Sequence, residues 1–229
     1  MKTVVFRVCA PVVTWRNTPQ MDVVYTETMP TKSAVIGMIC SAMGADRTDD
    51  HITEKVNHGV MTVRLDKTGI RINELKSQKQ TIAANGNKGK TILAHQEIMS
   101  DVCNVIALQY TDEDFSQKVV DALKKPKRFM YFGSKSCPAN SIHMEPHLTD
   151  ETSEEAARNA DWCPLVSHRP SNTGAEIDIV TTSSWDDPYQ IPVHDERRSF
   201  RDLTDPRIPR FTAGSRPTRR DTLLVSEIE

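Results

Sequence analysis

The residues best suited to chemistry in this sequence hold phosphates rather than break bonds. The stretch Gly133-Ser134-Lys135-Ser136-Cys137-Pro138 follows an aromatic run. Glycine lets a backbone turn and approach a ligand closely, while Lys135, Ser134 and Ser136 offer an ammonium and two hydroxyls to a phosphate. The spacing is not that of a nucleotide-binding P-loop, and a structural turn also accounts for the bare pattern. Upstream, Thr31, Lys32 and Ser33 open a predicted helix. First-turn amides and the helix dipole both favour an anion there, and Lys32 adds a cation, although Thr31 also fits simple capping. Arg197, Arg198 and Arg201 surround Phe200, a mixture suited to an RNA backbone and equally to an acidic protein. Trp15 and Tyr25, in an early polar loop, either plug the core or offer rings on which a base stacks.

Bond-breaking groups are scarcer. His95 lies near Glu97, and His194 adjoins Asp195 and Glu196. Such pairs can do acid–base work, including metal-free RNA cleavage, but no second catalytic partner accompanies either. His143 and His147 have HxxxH spacing with Glu145 between them and Cys137 and Cys163 not far off. Pro146 disfavours a regular helix there and no glutamate occupies the general-base position, so neither a metal site nor a cofactor is expected. The pattern favours binding over catalysis.

The chain has 229 residues, 38% of them hydrophobic, enough for a core with long polar loops. A net charge of -2 excludes a protein evenly covered in positive charge, but a local basic groove acts within about a Debye length. Charge is in fact clustered. Arg64, Lys67, Arg71, Lys76, Lys79, Lys88 and Lys90 face only Asp66 and Glu74, and a second arginine-rich stretch lies near the C-terminus. Residues 145–161 are acidic. Five widely spaced cysteines without a CxxC pair suggest neither a disulfide scaffold nor a zinc knuckle. No apolar run reaches the length of a membrane span, and a cytoplasmic location is expected.

Around these candidates the apolar pattern predicts the scaffold. A buried strand spans 3–8 and ends at Pro11; a helix runs from the Thr31 cap to Gly44, with Gly37 inside it ascribed to another backbone's close approach. Strands at 60–65 and 70–75 read as a hairpin turning at 66–69, followed by an exposed, mobile 76–91. A strand at 102–110, a helix at 113–123 and a strand at 129–132 lead into the glycine loop. Strands are expected near 177–182 and 223–228, with Trp162 and Trp185 packing the irregular half. The order suggests an α+β, split βαβ sandwich with helices on one sheet face and the other face free for RNA.

Three motifs then carry a resemblance. The opening strand ends in Ala10-Pro11 with Trp15 a few residues on, Met29-Pro30-Thr31-Lys32-Ser33 leads into the helix carrying Gly37, and Phe132 introduces the glycine loop. In this order they resemble the CRISPR-associated Cas-five family, most closely its members in type I-E Cascade surveillance complexes. The resemblance covers about 3–140 and, more weakly, 193–201. It implies an RRM/ferredoxin-like core over 1–140 with a protruding β-hairpin thumb at about 63–97, and an irregular C-terminal region over 141–229. It also implies a non-catalytic subunit that caps one end of the complex and grips the 5′ handle of the CRISPR RNA. Lys32, Lys135, Arg197, Arg198 and Arg201 would neutralise phosphates. Thr31, Ser33, Gly133, Ser134 and Ser136 would bring backbone and hydroxyls to the handle, and Trp15 would stack on a base. Lys76, Lys79, Lys88 and Lys90 on the thumb would meet a neighbouring backbone subunit and target DNA, with the large subunit beside the base. One departure is that Ser134 stands where the family loop often carries a basic residue. The alternatives are a metal-independent repeat-RNA endoribonuclease of the same family and a purely architectural subunit.

Overall fold

The computed structural model describes residues 1–16, 23–46, 50–78, 89, 91–139, 144–161, 178–182 and 210–212. In chain order its elements are β1 (Lys2–Val13), β2 (Val23–Val24), α1 (Lys32–Met43), α2 (Asp50–Asn57), β3 (Val60–Lys67) and β4 (Ile70–Gln78). They continue with β5 (Ile92–Tyr110), α3 (Glu113–Lys124), β6 (His147–Thr149), α4 (Ser153–Asn159), β7 (Asp178–Thr182) and β8 (Arg210–Thr212). One eight-stranded, largely antiparallel sheet has the order β6-β1-β5-β3-β7-β8; β4 also pairs with β5, and β2 joins β5 in parallel.

The two-residue period of β1 decides what lies on each side of this sheet. Val4, Phe6, Val8 and Ala10 enter the main core with Ile39 of α1, Leu123 of α3 and Ile106 of β5. Fully burying side chains of this size contributes roughly 1.5–3 kcal/mol each. Val5, on the opposite face, packs with Val105, Ala107 and the α4 residues Ala156 and Ala157. The sheet face expected to be free is therefore covered by α4. Its inward-pointing polar residues explain why. Arg64 is 0% exposed, holds both oxygens of Asp66 at 2.6 and 3.0 Å, and donates to the carbonyls of Ala157, Ala160 and Asp161 just where α4 ends. Arg7 reaches Glu145 and the Asp161 carbonyl from the same face. The acidic 145–161 stretch thus meets buried arginines, and α4 starts with a capping box between Thr152 and Glu155.

Several expected elements change. Pro11 does not end β1, which runs on to Val13. β6 covers β1 only at Thr3, Val4 and Val5, so no partner on that side needs the amide that Pro11 lacks. The 66–69 turn does not form either. β3 and β4 pair in succession with β5, Val60 opposite Gln109 and Ile70 opposite Ser100, rather than with each other. Gly69 (φ +80°) allows the run to continue, since a Cβ there would lie 2.3 Å from the Ser100 carbonyl oxygen. Asp66 and Lys67, which resemble turn residues in sequence, are instead engaged by Arg64 and by Asp101 at 2.5 Å. The true hairpin is β4–β5, and Lys76, Ser77 and Gln78 belong to its first strand. Residues 79–88 and 90, with Lys79, Lys88 and Lys90, lie outside the described residues, as does the strand expected at 223–228.

The remaining expectations divide. α1 starts at the Thr31 cap and ends at Gly44 (φ 78°), and α3 and β7 lie where expected. The 129–132 strand is reduced to a single bridge between Tyr131 and Pro138. α2 and α4 were not anticipated. Cys9 and Cys103, 94 residues apart, form a disulfide, because they are direct partners in the β1–β5 ladder. Sequence spacing could not show this. No helix among the described residues is long and apolar enough to cross a membrane.

Candidate nucleic-acid interface

The glycine loop is held by four short links. Thr14 N–H donates to the Phe132 carbonyl at 3.1 Å, and Phe132 N–H to the Cys137 carbonyl at 2.8 Å. Cys137 N–H donates to the Ser134 carbonyl at 2.9 Å, and Ala139 N–H to the Met130 carbonyl at 3.0 Å. Gly133 sits at φ +84°, where an added Cβ would lie 1.5 Å from the Thr14 carbonyl oxygen. This loop is therefore pressed backbone to backbone against the end of β1, and only glycine fits.

Facing the loop is one side of α1, and between them lies a cleft of about 340 Å³. Thr31, Ser33, Ala34, Gly37, Met38 and Ser41 form the helix wall; Tyr131, Gly133, Ser134 and Lys135 form the loop wall; Arg16 stands at the rim. The helix residues are those that 3.6-residue periodicity places on one stripe. Lys135 and Arg16 are exposed, so their cations are available to a ligand. Lys76, on the hairpin, reaches across to Ser136 at 3.4 Å while also pairing with Glu74 at 3.3 Å. Such partly exposed pairs are weak and exchange readily for a phosphate. Of the other cations in 64–78, Lys67 pairs with Asp101 and Arg71 with Glu97, so the stretch is less free than its composition suggests. Burial pushes the Cys137 thiol up, with the Ser136 hydrogen bond and Lys76 pulling the other way.

The structure thus brings Thr31, Ser33, Gly133, Ser134 and Lys135 to one cleft, with Ser136 on the same loop. Two expected contacts are overturned. Trp15 is 2% exposed and packs edge-on against Phe132, with ring centroids 6.1 Å apart, so its ring supports the loop from the core side and is closed to a base. Lys32 is 3% exposed and does not line the cleft, because side chains of a first helical turn tilt back towards the N-terminus and here into the interior. Arg197, Arg198, Arg201 and His194 lie outside the described residues. His95 is exposed on β5 and is not among the described residues lining the cleft.

Arg16, Tyr131 and the Gly37 stripe escaped the sequence reading. The available signals were the adjacency of Arg16 to Trp15 and the two-residue step from Tyr131 to Gly133. Gly37 needs its own correction. No other backbone approaches it; the space where its Cβ would stand has nothing within 4 Å. The glycine leaves open the floor of the cleft.

Comparison with known proteins agrees with this architecture. A crystal structure of a Cas protein superposes with a TM-score of 0.60 at 19% identity, covering 95% of this chain and 99% of that one. A chain of a CRISPR RNA-guided surveillance complex superposes with a TM-score of 0.56 at 21% identity, covering 62% of this chain. The match spans only 61% of that protein's length. At these identities the likeness is one of fold. Among curated proteins none matches the sequence. The model of the CRISPR-associated protein (Cas_Cas5) family, however, matches residues 3–220, nearly the whole length. The chain belongs to that family.

Proposed function

We propose that this protein is a non-catalytic RNA-binding subunit that holds the 5′ handle of a CRISPR RNA in the α1–loop cleft. It caps one end of a type I, I-E-like Cascade complex. The observation that carries this reading is the cleft itself: a helix N-terminus and a close-packed glycine loop face each other, with Lys135 and Arg16 exposed beside them. Such a site suits a polyanion, since helix-end amides and fixed cations both favour phosphate, and Tyr131 adds a ring for a base.

The core is then RRM-like in role, and the β4–β5 hairpin is its thumb. Ile70, Ile72, Leu75 and Leu93 on the hairpin are exposed, as expected of a projection that meets a backbone subunit and folds near the target DNA. The large subunit packs near the base, and the assembly works in the cytoplasm.

The test is a titration of labelled CRISPR repeat RNA with purified protein, without metal, at several salt concentrations. Lys135→Ala is expected to weaken binding about tenfold and to reduce the salt slope by about 1. Binding that ignores salt and Lys135, or no binding, would favour an architectural subunit; site-specific cleavage would favour the processing endoribonuclease. Gly37→Ala gives an independent check with opposed signs. Replacing a mid-helix glycine by alanine is expected to stabilise the fold by about 0.5–1 kcal/mol. The same methyl intrudes on the cleft floor and should weaken RNA binding roughly tenfold. A stabilised variant with undiminished affinity would mean that no ligand approaches α1.

A further inference from the structure

Beyond the cleft, α3 ends in Lys124 and the chain continues as Lys125, Pro126, Lys127, Arg128 and Phe129. Phe129 is 84% exposed, more than any other large apolar side chain among the described residues. Met130 and Phe132 are buried, while Tyr131, two residues after Phe129, is half-buried at the cleft. Two residues of chain span at most about 7 Å, so Phe129 stays close to the cleft.

This segment is tied to α1 by its backbone. Ser41, itself a cleft residue, donates its hydroxyl to the Phe129 carbonyl at 3.1 Å, and Lys127 N–H donates to the Ala42 carbonyl at 2.8 Å. Arg128 is used internally, donating to the Ala45 carbonyl at 2.9 Å and pairing with Asp46 at 2.5 Å. Lys124, Lys125 and Lys127 are exposed, and no acidic side chain among the described residues pairs with them. The dipole of α3 accounts for a lysine in its last turn, but it gives no reason to hold a phenyl ring in water.

We propose that Lys124, Lys125, Lys127 and Phe129 form a second contact for single-stranded RNA, adjoining the cleft and continuous with it. A strand leaving the cleft past Tyr131 and Ser41 meets Phe129 next; one base stacks on the ring while the lysines neutralise the flanking phosphates. Stacking on an aromatic face tolerates any base, so this contact adds length and grip rather than sequence preference. RNA is favoured over an acidic protein because the patch is tied to the cleft through Ser41 and lies two residues from Tyr131. The inference rests on the cleft holding RNA.

The test uses the full-length protein and fluorescein-labelled single-stranded RNAs lengthened stepwise from one that only the cleft can hold. In the unsubstituted protein affinity should rise as the strand reaches Phe129. Phe129→Ala should erase that rise, roughly tenfold, and leave the shortest RNA unaffected. Phe129→Trp should keep the rise and show indole quenching by the longer RNAs. If both variants gain affinity with length as the unsubstituted protein does, while Lys135→Ala still loses binding, the second contact is overturned and the cleft reading survives. If no RNA binds, both fall. If Phe129→Ala instead releases a protein neighbour from the assembled complex with RNA affinity unchanged, the patch docks protein and the proposal fails.

Discussion

Gly133→Ala should nearly abolish RNA binding and destabilise the protein by about 2–5 kcal/mol, the sum expected of a left-handed non-glycine residue and a forced core clash. The methyl would need the place of the Thr14 carbonyl oxygen, 1.5 Å from the ideal Cβ position. No rotamer relieves a clash between two backbones, so the loop must separate from β1. That separation breaks the Thr14–Phe132 hydrogen bond, uncovers the buried Trp15–Phe132 contact and moves Ser134 and Lys135 away from α1. The effect on binding should exceed that of Lys135→Ala, because the whole loop wall is displaced rather than one charge. Urea unfolding and the RNA titration check the two halves separately. Near-wild-type stability and affinity would show that the loop can turn without the left-handed residue.

Arg64→Ala should be more damaging to stability, by about 3–5 kcal/mol, and far less so to RNA contact. The substitution takes the guanidinium from the Asp66 carboxylate, which is itself buried, and removes the donor that serves four carbonyls at the end of α4. Losing one partner of a buried pair costs more than the pair itself contributes. The double variant Arg64→Met with Asp66→Leu should therefore recover much of the loss, a result that separates charge from packing. Since this pair lies on the α4 face and the cleft lies at α1, the RNA affinity of the folded fraction should stay within about twofold. A denaturation midpoint for Arg64→Ala close to that of the unsubstituted protein would contradict the buried clamp.

The apolar run of β1, the Thr31 cap, the Gly44 stop and the apolar pattern of α3 are local, and each was legible because its cause lies within a few residues. So was the glycine loop, whose composition marks a turn. The motif order was sufficient to mark the family resemblance. What the chain could not show was anything set by partners distant in sequence. Asp66, Lys67 and Gly69 have turn chemistry, yet β5 recruits β3 and β4 into one line because its 19 residues offer more ladder bonds than a local hairpin would. Trp15 and Lys32 looked like ligand groups because sequence gives type without direction, and the core took both side chains. Gly37 borders open space rather than a neighbouring backbone, and Phe129, whose apolar neighbours suggest a strand, holds its ring in water. Residue types and short spacings thus determined the helix start and the glycine loop that wall the cleft. The tertiary structure alone decided which face of α1 meets the loop, because that choice depends on long-range burial of apolar surface, a sum over the whole core that no local window contains.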